Sequence, residues 1–344
     1  GKTFSGEISV RLILEKGSQE EDGPQGLAKD IITLAQTDTT NLAVDDYGNT
    51  RYIGKDPNNY VSFDGDIWRI IGVMKDVDDG TGNKEDRVKI IRSTSIGDYS
   101  WDSESSINNG TGVNEWSQAD LMKLLNPGYE SETVGGSLYW NNKSGTCYNY
   151  ENNSTISCDF TSAGIKDKLK NMLGNAVWNT GSQGTNDYAS SSNGLTKHFY
   201  TYERSTNTGK ICTSGGYCTD TVVRTTTWTG KIGLMYPSDY GYATSGGSGA
   251  DRATCLNKEL YKWSDSSVSD CKNNDWLFNS STQWTLSPCA NSSGATRMFL
   301  VSRYGRVSEG SAFSDNGVRP VGYLLPSVGV QSGDGSSGNP FILS

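Results

Sequence analysis

Residues 283–324 read QWTLSPCANSSGATRMFLVSRYGRVSEGSAFSDNGVRPVGYL. Three apolar runs stand out: Trp284-Thr285-Leu286, Met298 to Val301, and Val318 to Leu325. β-Branched, aromatic and large aliphatic residues pack well on a pleated surface, so each run predicts a buried strand. Polar, Gly- and Ser-rich links join them. Arg303-Tyr304-Gly305-Arg306 is short enough for a hairpin turn, with Gly305 free to take positive φ. The pattern predicts a stiff C-terminal meander that holds out polar loops.

Further outward, Tyr60 to Val73 alternates about Asp64-Gly65, a dipeptide suited to a tight hairpin turn. Val88 to Arg92 supplies a further strand. The link 76–87 is rich in Asp and Gly, but its Gly falls one place early for an EF-hand loop and no Glu closes it. It reads as a solvated hairpin loop. Residues 116–126 predict a helix, with Ser117 as cap, Asp120 answering it, and Pro127-Gly128 as the stop. Residues 162–179 carry apolar side chains at helical spacing and predict a second helix. Pro24 to Gln36 predicts a short one. Residues 180–227 are polar and read as irregular, with His198 on a loop or strand edge. Lys231 to Tyr236 predicts a strand that then turns away. Residues 1–50 are expected to form an arm or stalk, and 51–344 a single domain. With no leader visible at Gly1, the chain reads as a mature or trimmed product.

The 344 residues are 34% hydrophobic and 20% charged, with net charge -9. That is enough for a real core. An acidic, Asn-, Ser- and Gly-rich surface disfavours nucleic acid, whose phosphates need clustered Lys and Arg. One His in the whole chain rules out a multi-His zinc site and chemistry needing two imidazoles. Seven Cys suggest an exported protein with local disulfides. The spacing suggests Cys147–Cys158, Cys212–Cys218 and Cys255–Cys271, which leaves Cys289 over.

Several segments together resemble a family of uncharacterised domains in surface proteins of Gram-positive gut bacteria. They are NNYVSFDGDIWRIIGV (58–73), VKIIRSTSIGDYSWD (88–102), WSQADLMKLLN (116–126), WTGKIGLMYPSDYGYATS (228–245), NDWLF (274–278), QWTLSP (283–288) and GVRPVGYL (317–324). The resemblance covers about residues 50–344. Members are often attached to pilin-like or other exported N-termini. The last part also resembles the C-type-lectin-like fold in its formylglycine-generating-enzyme branch. Trp284, the hairpin at 298–308 and Gly317-Val318-Arg319 stand in its characteristic places. Retroelement-diversified proteins use the same fold and vary the corresponding loops.

The fold class expected is therefore α+β: a C-type-lectin-like mixed fold with short antiparallel strands, two or more helices and long disulfide-stapled loops. The function expected is an extracellular, cell-surface ligand-binding or adhesion module, not an enzyme. Its candidate contact residues are Asn291, Ser292, Arg303, Tyr304, Arg306, Glu309, Phe313, Asp315 and Asn316. Tyr and Phe offer contact area at low entropic cost, and Ser and Asn adapt their hydrogen bonds. The expected partner is a host or microbial protein or glycan. The alternatives are a structural surface or pilus subunit that joins copies of itself, and a formylglycine-generating-type oxidase. The oxidase would need a copper-holding Cys pair, of which Cys289 alone is evident. No cofactor is expected. Calcium is the one ion the sequence leaves open, although the acceptor motifs of calcium-dependent lectins are missing.

Overall fold

A computed structural model describes residues 26–103, 112–184, 188–191, 193–206, 225–290 and 296–344. It is a mixed fold, 18% helical and 34% strand, with several antiparallel sheets. One eight-stranded sheet is entirely antiparallel. It runs Leu42–Val44, Thr50–Tyr52, Asp66–Asp78, Lys84–Arg92, Val321–Leu324 and Ile232–Gly233. Tyr60–Phe63 adds beside Asp66–Asp78, and Leu173–Gly174 beside Val321–Leu324. The predicted hairpin turn is present: Asp64 and Gly65 both have positive φ, 49° and 86°. That twist matches the flanking strands.

A second sheet of six strands carries most of the 283–324 stretch. Its order is Val307–Ser311, Arg297–Val301, Gln283–Ala290, Asp315–Gly317, Asp98–Ser100, with Gln183–Gly184 also against Gln283–Ala290. Gln283–Ala290 is buried along its whole length. Its Trp284 indole donates to the Tyr99 carbonyl at 2.9 Å, tying the sheet's centre to its edge. The expected meander is therefore divided. Its first runs pair as neighbours, but Val321–Leu324 crosses into the other sheet and pairs with Lys84–Arg92.

Five local expectations differ from the structure. Residues 26–50 form no separate arm: Leu27, Ala28 and Ile31 of helix Gly26–Leu34 are buried in the common core, and two strands from 42–52 extend the first sheet. The helix expected from 116 begins only at Asp120. Ser117 Oγ instead donates to Glu115 Oε1 at 2.8 Å, and the Asp120 carboxylate accepts from the Ser103 amide. Residues 162–179 are helical only over Asp167–Met172. The chain turns extended at Leu173, Leu173–Gly174 joins the first sheet, and Ala176–Asn179 alternates buried and half-buried as a strand against Thr227–Gly230. A two-residue period thus wins where aromatic and β-branched residues follow a glycine. Finally, the polar 180–227 stretch holds helix Thr196–Glu203, which carries His198, and Pro237–Tyr242 is a helix where a simple turn was expected.

Cys147–Cys158 and Cys255–Cys271 are disulfides. Cys212 and Cys218 lie outside the described residues.

Candidate functional site

Six of the nine candidate contact residues fall into two groups, one on each side of the second sheet's central strand. Arg303, Tyr304 and Arg306 occupy the turn between Arg297–Val301 and Val307–Ser311. Gly305 takes φ +82°, as the turn requires, and donates to the Ser302 carbonyl at 2.8 Å. Two side chains from elsewhere grip the turn. The buried Tyr240 hydroxyl donates to the Gly305 carbonyl at 2.7 Å, and Lys272 Nζ donates to the Tyr304 carbonyl at 2.8 Å. Tyr304 is 52% exposed on this fixed backbone. Arg303 lies 4.8 Å from its ring centre and donates to its hydroxyl at 2.6 Å. Arg306 turns inward and is half-buried over Tyr261.

Phe313, Asp315 and Asn316 belong to the other group. Two strands separate Val307–Ser311 from Asp315–Gly317, so the groups stand on the order of 14 Å apart at the usual strand spacing. This second group gains residues that sequence reasoning missed. The disulfide-stapled hairpin Ser144–Tyr148/Thr155–Asp159 places its tip beside it. Tyr150 packs edge-on against Phe313 at 5.9 Å, and Asn149 donates to Asp315 Oδ2 at 3.4 Å. Ser100 Oγ accepts from the Tyr150 amide and donates to the Phe313 carbonyl, locking the two loops together. Tyr150 has φ 109°, yet its ring is 48% exposed. A non-glycine residue there is strained by about 1–3 kcal/mol and persists only where its surroundings fix it. A signal was present in the sequence: Tyr150 sits in an Asn-rich run between two nearby Cys.

Glu309 joins neither group. It is paired within a strand opposite Phe299, and its Oε2 accepts from the buried Cys289 thiol at 3.3 Å. It was expected on a loop, but the strand is longer on that side. Asn291 and Ser292 lie outside the described residues. Among the described residues no group of three or more His, Cys, Asp and Glu is placed to hold a metal ion.

A buried ionic cluster positions the helix that supports the hairpin turn. Asp239 lies in the first turn of Pro237–Tyr242. Its carboxylate receives Arg51 Nη1 at 2.7 Å, Lys89 Nζ and the Tyr236 amide. Arg51 Nε also reaches Asp45 Oδ2 at 2.8 Å. The Lys89 ammonium lies 4.2 Å from the Tyr236 ring centre, with Trp178 and Tyr323 also around it. Burial would raise the Asp239 carboxyl, but Lys89 and Arg51 outweigh it and bring it to about 2. Burial lowers Lys89 to about 8, because its one carboxylate is shared with Arg51. The cluster clamps the helix to the first sheet, and Tyr240 carries that fixity to the surface turn.

Among the described residues no helix is long and apolar enough to cross a membrane. No family model, curated protein or solved structure matches this chain.

Proposed function

We propose that the chain is a ligand-binding module of an extracellular or cell-surface protein, acting by contact rather than catalysis on a C-type-lectin-like scaffold. The observation that carries this reading is Tyr150. A half-exposed aromatic ring is held at a strained backbone angle, beside Phe313 and flanked by Asn149 and Asp315. Strain persists where the surroundings over-determine a residue, and such residues cluster at ligand-contact sites. Tyr304, on its gripped turn, offers a second exposed ring. Rigid aromatics with adaptable amides and carboxylates suit recognition of a protein or glycan surface. Two disulfides and the resemblance to exported surface domains support the location.

The test is binding to a mixed glycan array and to an immobilised mucin layer. Tyr150→Ala and Phe313→Ala should each weaken capture roughly tenfold, about 1.4 kcal/mol, with Tm within a few degrees of wild type. Unchanged capture by both variants would overturn the assignment, as would collapse of the fold in both.

A further inference from the structure

The first sheet has an edge open to a further strand. The hairpin Val330–Ser332/Ile342–Leu343 is tied to strand Tyr60–Phe63 through Phe341. The Phe341 amide donates to the Tyr60 carbonyl at 2.8 Å, and its carbonyl accepts from the Ser62 amide at 3.0 Å. The hairpin therefore prolongs the sheet, and Val330–Ser332 is its outer strand, exposed at every residue. Gly329 exchanges both backbone bonds with Ser344, at 3.1 and 3.0 Å. Antiparallel alternation then turns the Val330 N–H and C=O away from the hairpin, and neither has a backbone partner among the described residues. Such an edge templates strand addition unless charge or proline guards it, and Val330-Gln331-Ser332 carries neither. Val330 is 36% exposed, although it lies opposite the fully buried Leu343. Residues directly opposite share a face of the sheet, so Val330 continues the core face beyond its last cover.

The N-terminal chain enters the fold beside this edge. The Leu27 amide donates to the Val328 carbonyl at 2.9 Å, and a Cβ on Gly26 would stand 2.4 Å from the same oxygen. Gly26 therefore lies against Val328, just before the open strand begins. Residues 1–25 lie outside the described residues. Their sequence contains Ile8-Ser9-Val10-Arg11-Leu12-Ile13-Leu14. Ile8, Val10, Leu12 and Leu14 fall at the two-residue period of a strand with one apolar face. Residues 15–25 are polar and include Gly17, Gly23 and Pro24. A link of that length reaches up to about 36 Å when extended, far beyond the roughly 7 Å from Val328 to Val330.

We propose that residues 8–14 add to Val330–Ser332 of the same chain as a further antiparallel strand. A segment arriving at Gly26 beside Val328 runs opposite to Val330–Ser332, which leads away from that point. Its backbone takes the outward N–H and C=O of Val330. Ile8, Val10, Leu12 and Leu14 extend the apolar face over the Val330 side chain. The short polar link gives the segment an effective concentration on the order of millimolar at its own edge, which favours it over the same segment of a second copy. The edge is then a strand-addition site that the chain itself keeps closed.

Amide hydrogen exchange of the intact chain tests this. The Val330 amide should exchange slowly in the wild type, although no backbone acceptor meets it among the described residues. Val10→Pro removes a ladder donor, and Leu12→Asp puts a charge on the apolar face. Each should speed exchange at Val330 roughly tenfold or more by letting the added strand open locally. Arg11→Glu, on the polar face, and Val10→Ile should leave it slow. The Ile90 amide, deep in the first sheet, should keep its wild-type rate in every variant, which separates loss of the added strand from loss of the fold. Fast exchange at Val330 in the wild type, or equal rates in wild type, Val10→Pro and Leu12→Asp, would overturn the inference. Protection that rises with protein concentration would also overturn it, by assigning the strand to a second copy.

Discussion

Asp239 shows how one residue can hold a surface in place. Two cations share its carboxylate, and all three side chains are buried. Asp239→Asn would leave Arg51 and Lys89 under-neutralised in a dry site, so we expect a loss of about 3–5 kcal/mol in urea denaturation. Asp275 is the contrast. Burial raises its carboxyl well above the ordinary range, and it accepts from the Leu277 amide at 2.9 Å. A neutral acid is replaced by a neutral amide in Asp275→Asn, so that change should cost about 1 kcal/mol. The pH dependence follows from the sign of the Asp239 shift. Its folded value, about 2, lies below the ordinary 3.8. The unfolded chain therefore takes up the proton first on acidification. The contribution is full above about pH 4 and is lost as pH falls through 2, roughly 2 kcal/mol in size. The stability gap between wild type and Asp239→Asn should narrow over that window. A constant gap would mean that Asp239 is not the titrating anion.

Two hairpins present the exposed rings, and each depends on a different constraint. The 301–307 hairpin needs Gly305, because a Cβ there would stand 2.4 Å from the Lys272 side chain as well as at positive φ. Gly305→Ala should cost about 1–2 kcal/mol and displace Tyr304, seen as lost amide shifts at 303–305. The 144–159 hairpin depends on its disulfide, which closes a separation of 11 residues. Replacing Cys147 and Cys158 with Ser should cost about 3 kcal/mol in the chain-entropy account. It should also raise amide exchange at Tyr150 more than at Tyr304. The sequence could place the 301–307 turn, since a glycine sits between two apolar runs. It could not join Tyr150 to Phe313, because 163 positions of chain separate them and only folding brings Ser100 between their backbones.

Across the whole molecule, the first sheet is completed from widely separated segments. Residues 42–52 form one end, Ile232–Gly233 the other, and Val321–Leu324 lies between Ile232–Gly233 and the central hairpin. A chain beginning at residue 51 would lose helix Gly26–Leu34, strand Leu42–Val44 and Asp45, the partner of Arg51. We expect it to be insoluble or to lack a cooperative thermal transition. A sharp transition near that of the longer chain would show that 26–50 is dispensable. The sequence by itself determined the mixed α+β class, the 60–73 hairpin, a buried strand through 284–286 and two disulfide pairs. Those features rest on local period, turn chemistry and short separations along the chain. Tertiary structure alone decided the division of the C-terminal meander between two sheets, the early end of the 167–172 helix, and the meeting of Arg51, Lys89 and Asp239. The reason is physical: which strand an apolar run joins, and which charges share a buried carboxylate, is settled by contacts between distant segments whose energies no local pattern contains.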